Sequence, residues 1–172
     1  GVEVSHVACD THPDYASGRT AEQLAGAGAP LLRVPHHYAH VLAAMAEHDL
    51  LREEVLGIAW DGTGYGLDGT VWGSEFLRAD CRGFQRLGHL QAFRIPGGDR
   101  AMREPRRSAL GVLAGLLDPT SAAQWYRAHR PQAFRAGELD VLVQMLTSGL
   151  NSPWTCGAGR LFDAVAALLG LR

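Results

Sequence analysis

The chain has 172 residues, of which 47% are apolar and 20% charged, the balance of a folded water-facing protein rather than a disordered or fibrous one. Its 16 basic residues are all arginine and are scattered, and the net charge is −2, so no nucleic-acid footprint is evident. The lack of lysine excludes a Walker phosphate loop and Schiff-base chemistry.

Cys9, Cys81 and Cys156 are odd in number and far apart. They suggest neither a disulfide framework nor a four-cysteine zinc site, and a reducing, cytoplasmic setting fits best. A basic leader and an apolar run of roughly 18 residues are both missing, so neither secretion nor membrane insertion is expected. The first residues, "GVEVSHVACD", read as the inside of a strand without a methionine, and the last, "LFDAVAALLGLR", as the end of a helix. A fragment of a longer protein is expected.

In chain order, "VSHVACD" (4–10) is a short strand. A helix follows within 17–30, capped by Ser17 or Thr20 and ended by glycine and proline. "LLRV" (31–34) is a second strand, and a helix runs over 35–47 with Pro35 in its first position. "VLGIAW" (55–60), the glycine-dense turn "DGTGYGLDG" (61–69) and "TVWGSEFLRAD" (70–80) form a hairpin, and 83–95 adds one more strand. Beyond "PGGDR" the apolar spacing predicts helices over 103–117, 120–129, 137–150 and 159–169. The pattern is an α/β unit with a helical C-terminal part, without internal repeats or a clean domain boundary.

The stretch "VPHHYAH" places His36 and His40 four apart, hence on one helix face, with His37 turned away by about 100°. The pair suits one metal ion; polar residues on an exposed first turn explain it equally well. Asp61, at the end of a strand, is the best third ligand, although it also suits the start of a turn. A His, His, carboxylate set leaves coordination positions open, as for iron or zinc acting on a bound ligand.

"GYGLDG" is a literal GxGxxG, but a strand-like stretch follows it where a dinucleotide site needs a helix. It reads instead as a hairpin whose bare N–H groups approach a phosphate, or as a flexible tip. Asp99, Arg103, Arg106 and Arg107 form either an anion contact or a solvated helix face. "TCGAGRLFDA" feeds a helix whose first turn carries Gly159 and Asp163, suited to an anion and a ribose hydroxyl, or simply to the helix dipole. Cys156, with no histidine nearby in sequence, reads as a buried thiol before a nucleophile.

Five stretches, "ACDTHPDYASGR", "VPHHYAHVLAAMAEH", "DGTGYGLDGTVWGSEFL", "GHLQAFRIPGGDRAMREP" and "GRLFDAVAALLGL", in this order and spacing, resemble the HypF family of hydrogenase-maturation carbamoyltransferases. The resemblance covers essentially the whole chain, 1–172, as a fragment of the lobe similar to TsaD tRNA-modification enzymes and antibiotic O-carbamoyltransferases. It implies a partial actin-like ATPase (ASKHA, TsaD-like) fold. It further implies transfer of a carbamoyl group, taken from carbamoyl phosphate through carbamoyl-adenylate while ATP becomes AMP and pyrophosphate, to the C-terminal cysteine of HypE.

By the resemblance, His36, His40 and Asp61 hold a divalent metal, iron or zinc. Gly62, Thr63 and Gly64 approach the nucleotide phosphates, Asp163 contacts the nucleoside, and Asp99, Arg107 and Gly159 are weaker candidates. No protein nucleophile is implied. Where the family has two serines this chain has Cys156 and Gly157, and Arg106 stands in place of a tryptophan. A downstream glycine motif and a last metal-binding aspartate are missing. A small-molecule O-carbamoyltransferase, or an inactive metal- and nucleotide-binding fragment, are the competing readings; neither nucleic acid nor a membrane is an expected partner.

Overall fold

The structure is a computed structural model that describes residues 4–26 and 28–171. Residues 1–3, where the first strand was expected to be already under way, and Arg172 at the end of the chain lie outside it. Two compact units interleave in sequence. The first holds the described residues of Gly1–Ala59, Gly64–Gly69 and Glu75–Gly88; the second holds those of Trp60–Thr63, Thr70–Ser74 and His89–Arg172.

The first unit opens with β1 (Val7–Asp10), α1 (Ala16–Ala25) and β2 (Leu31–Val34). A crossover helix forces its two strands to be parallel, and they pair with Val7 opposite Leu31 and Asp10 opposite Val34. Neither expected cap serves α1. Tyr15 is its N-cap without a side-chain bond, and the Thr20 hydroxyl turns back to Ala16 O at 3.2 Å, the usual competing use of a hydroxyl inside a helix.

The next helix, α2 (His36–Glu47), begins one residue later than expected, with Pro35 extended at the N-cap and its carbonyl accepting from the Ala39 N–H at 2.9 Å. Tyr38, Val41 and Met45 face Ala59, Leu77 and Ala79 in the core of this unit. A Cβ at Gly57 would come within 2.4 Å of Val41 Cγ2, so a strand glycine permits the close approach.

The hairpin strands are β3 (Val55–Tyr65) and β4 (Val71–Ala79), with β5 (Phe84–His89) also on β4. The glycine turn is shorter than the sequence implies: β3 runs through Asp61–Gly64, and the reversal is left to Gly66–Gly69, closed by the Gly69 N–H on Gly66 O at 3.1 Å. Positive φ at Gly69 (76°) explains that glycine. Because β4 follows, the GxGxxG is a hairpin and not a strand-to-helix phosphate loop.

In the second unit, the strand expected over 83–95 ends at His89 and resumes as β6 (Phe93–Arg94). Between them the Leu90 N–H leaves the ladder for Ser74 Oγ at 3.0 Å. A two-residue strand that the sequence pattern did not reveal, β7 (Trp154–Thr155), pairs in parallel with Val71 and antiparallel with β6.

Four helices complete this unit: α3 (Pro105–Leu116), α4 (Pro119–His129), α5 (Glu138–Ser148) and α6 (Ala158–Leu169). Pro105 starts α3 two residues later than expected, because the residue before a proline avoids helical dihedrals; Glu104 has φ −123° and ψ 85°. Asp118 caps α4 by accepting the Ser121 N–H at 2.9 Å. Ala109, Leu110, Ala122, Tyr126, Leu142 and Ala164 make the core. A Cβ at Gly111 would meet Arg94 O at 1.9 Å, so α3 packs on β6 through that glycine.

Candidate functional site

The parallel pairing that sets Asp10 opposite Val34 also fixes what lies at the C-terminal ends of β1 and β2. Two residues after Val34, His36 opens α2, and its Nδ1 lies 2.8 Å from Asp10 Oδ2. One helical turn on, His40 directs its Nε2 to the Nε2 of His36 at 3.2 Å, the rings nearly perpendicular with centroids 4.7 Å apart. Helical spacing therefore brings the expected pair together. Asp10 is the neighbour that periodicity could not reveal; its signal was its place at the end of a strand within "ACDTHPDY".

His37 does not lie on an exposed first turn. It is buried, 1% accessible, and β3 crosses it closely enough that a Cβ at Gly64 would fall 2.4 Å from His37 Cε1 and 3.0 Å from His36 Cδ2. Gly64 thus lets a strand backbone lie directly on the histidine turn.

Asp61 is inside β3, not at the mouth of a turn. Its Oδ1 accepts the Gly62 N–H at 2.6 Å. Gly62 and Thr63 share this strand, with Thr63 exposed. A group of glycines joins three stretches of backbone in this unit. A Cβ at Gly73 would lie 2.6 Å from Asp61 O, at Gly157 2.5 Å from Gly62 O, and at Gly159 2.7 Å from Gly62 Cα. The first turn of α6, whose N–H groups have no acceptor within the helix, therefore lies against Gly62. Gly157, which stands where a serine was expected, is needed for this packing.

Asp163 is not in the first turn of α6, where it was expected, but one turn further on, because the helix already starts at Ala158; it pairs with Arg160 at 3.0 Å, and Arg160 also donates to Met102 O at 3.1 Å. Cys156 is buried, 4% accessible, and the three cysteines are free thiols.

Of the arginines after "PGGDR", Arg106 and Arg107 form neither of the two expected arrangements, while Arg103 is exposed. Asp99 is in a single 3-10 turn, Gly98–Arg100, and Arg103 precedes the helix. Arg107 is buried, donating to Glu104 at 2.7 Å, Glu138 at 2.9 Å and Pro96 O at 3.3 Å. Arg106 donates to the same two carboxylates at 2.6 and 3.1 Å and lies over Phe134. These charges are satisfied internally, so the face is neither solvated nor open to an anion. Burial opposes ionisation of Glu104, but hydrogen bonds from Arg107, Arg100 and Arg106 outweigh it and hold its carboxyl at about 2.

The chain is similar to several known proteins. Residues 1–47 match the family model described as the HypF Kae1-like domain. Residues 57–172 match the second subdomain of the carbamoyltransferase Kae1-like domain. Carbamoyltransferase HypF of Synechocystis is 41% identical over 181 residues, which span 96% of this chain and 22% of the relative. A HypF homologue of Cupriavidus necator is 44% identical, covering 98% and 42%. The probable HypF of Methanocaldococcus jannaschii is 35% identical, covering 98% and 22%.

A crystal structure of full-length HypF in a phosphate- and nucleotide-bound form superposes with a TM-score of 0.86 at 38% identity, over 99% of this chain and 21% of that one. T. kodakarensis HypF gives 0.88 at 33% identity, over 98% and 23%. The chain spans between about a fifth and two fifths of the length of these relatives. The expected α/β, TsaD-like fold is thereby borne out, and the chain belongs to the HypF carbamoyltransferase family, within its Kae1-like domain.

Proposed function

We propose that the chain is the metal- and nucleotide-holding part of a carbamoyltransferase of nickel-iron hydrogenase maturation. In this reading carbamoyl phosphate loses its phosphate as inorganic phosphate, and the carbamate so formed attacks the α-phosphorus of ATP to give carbamoyl-adenylate with release of pyrophosphate. The C-terminal cysteine thiolate of HypE then attacks the carbamoyl carbon. A C–S bond forms, the C–O bond to the AMP phosphate breaks, and AMP departs with that electron pair. The reaction is placed in the cytoplasm, where a cysteine acceptor stays reduced.

The observation that carries the metal half of the reading is the His36–His40 pair, two imidazole Nε2 atoms 3.2 Å apart on one partly exposed helix face. Asp61 is the carboxylate that the family resemblance assigns to the same ion. Two nitrogens and an oxygen fit divalent iron or zinc with positions left open. Such an ion supplies a Lewis acid for a carbamoyl or phosphate oxygen. The side chains themselves hold and orient, which is most of what a transfer between two bound groups needs.

For the nucleotide, the support is the glycine-lined backbone of Gly62 beside the N–H groups of the α6 first turn. These groups, with Thr63 and Gly64, suit phosphate oxygens. Asp163, steadied by Arg160, suits a ribose hydroxyl.

The test uses the full-length protein, following transfer of label from carbamoyl phosphate to HypE, with H36A, H40A and D61A alongside metal analysis. Loss of bound metal and a fall in transfer of at least 100-fold are expected in each. Full transfer with metal lost would remove the metal from the reaction, and transfer to a small hydroxyl compound but not to HypE would favour an O-carbamoyltransferase.

A further inference from the structure

We infer that Asp10 is a positioning residue that fixes the tautomer and ring orientation of His36, an inference that rests on the metal reading above. It departs from the expected site, which took its ligands from the histidine helix and the β3 strand and gave "ACDTHPDY" no task.

The geometry is confined to the first unit. Asp10 is the last residue of β1, and the parallel register sets it beside Val34, two residues before the turn that carries His36. Its two carboxylate oxygens have separate uses. Oδ1 accepts the His12 backbone N–H at 2.8 Å, closing a tight turn that pins the carboxylate. Oδ2 faces His36 Nδ1 at 2.8 Å, a length expected for a bond in which the ring nitrogen donates.

A carboxylate only accepts, so the His36 proton belongs on Nδ1. That leaves the His36 Nε2 lone pair facing the Nε2 of His40. Without Asp10 no carboxylate holds the proton on Nδ1, and a ring protonated on Nε2 cannot ligate through that atom. Carboxylate partners of this kind raise ligand basicity as well as fixing orientation, and their loss lowers metal affinity by about 10–100-fold.

The rest of "THPDY" supports the same turn. His12 stacks on Tyr15 with centroids 4.1 Å apart and meets Tyr65 of β3 edge-on at 5.3 Å. Its Nδ1 accepts the Asp14 N–H at 3.1 Å. The segment between β1 and α1 is thus tied down on the side that presents Asp10.

The experiment pairs two measurements on full-length wild type, D10A, D10E and H36A. The tautomer is read without metal from long-range nitrogen–proton couplings of 15N-histidine-labelled protein, with H36A assigning the signal. Metal affinity is read by zinc competition against a chelator, H36A giving the share of the site. The expected result is the Nδ1–H form of His36 in wild type, its loss in D10A, and a 10–100-fold weaker site in D10A at unchanged circular dichroism, with partial recovery in D10E. Wild-type His36 protonated at Nε2, or D10A binding zinc as tightly as wild type while H36A does not, would overturn the inference. If H36A and wild type bind zinc alike, the metal reading fails; the inference then falls as a statement about metal, even where the tautomer is as described.

Discussion

At Gly64 a single hydrogen atom decides whether strand and helix can share space. A Cβ added there would lie 2.4 Å from the ring of buried His37, which leaves no room for even the smallest side chain. Gly64→Ala is expected to push β3 away from the first turn of α2 and disturb His36 as well, whose ring edge is at 3.0 Å. A loss of about 1–3 kcal/mol in denaturant unfolding, typical of overpacking, should be accompanied by weaker zinc binding at the proposed metal site. His37 illustrates what spacing reveals at this scale: helical spacing turns it from the face of His36 and His40, but its burial under β3 has no signal along the chain.

At the scale of elements, α6 is placed by backbone rather than by side chains. Its sequence announces a helix, and its start was found to within one residue. The contact of Gly159 with Gly62 Cα, 2.7 Å for an added Cβ, needs β3 and α6 to meet. Gly159→Ala is expected to shift the first turn of α6 from β3. The melting temperature should fall, and nucleotide affinity, measured by calorimetry on the full-length protein, should drop by at least tenfold while zinc binding is kept. Equal nucleotide affinity in variant and wild type would separate this packing from the proposed phosphate contact. By contrast, β7 has two residues and no periodicity; only its pairing with Val71 and Phe93 makes it a strand.

For the whole molecule, the cluster of Glu104, Arg106, Arg107 and Glu138 ties the start of α3 to the start of α5. The carboxyl of Glu104 is held at about 2 against an ordinary 4.5, and that of Glu138 is also lowered, burial opposing and the Arg135 N–H and both arginines prevailing. A depressed folded-state value means stability that is present above pH 4.5 and lost as pH falls toward 2. For Glu104 the amount is on the order of 3 kcal/mol. Acid titration followed by circular dichroism should show loss of helix in that window, and Glu104→Gln should be less stable at neutral pH with a shallower acid dependence. Removing Glu104 leaves Arg106 and Arg107 to share Glu138 as their remaining carboxylate, so only part of their charge loses its partner.

The sequence by itself determined the order of the longer strands and helices, the shared face of His36 and His40 and, through five linked motifs, the family. Each depends on local periodicity or on residue identity in fixed order, and neither needs distant contacts. Only the tertiary structure decided that Asp61 belongs to a strand, that Asp10 meets His36, and that Arg106 and Arg107 are satisfied within the protein by Glu104 and Glu138. Pairing between residues 26 or 31 positions apart, as in Asp10 with His36 and Arg107 with Glu138, leaves no periodic trace along the chain. It arises when parallel strands and packed helices bring charges together and burial makes their pairing obligatory.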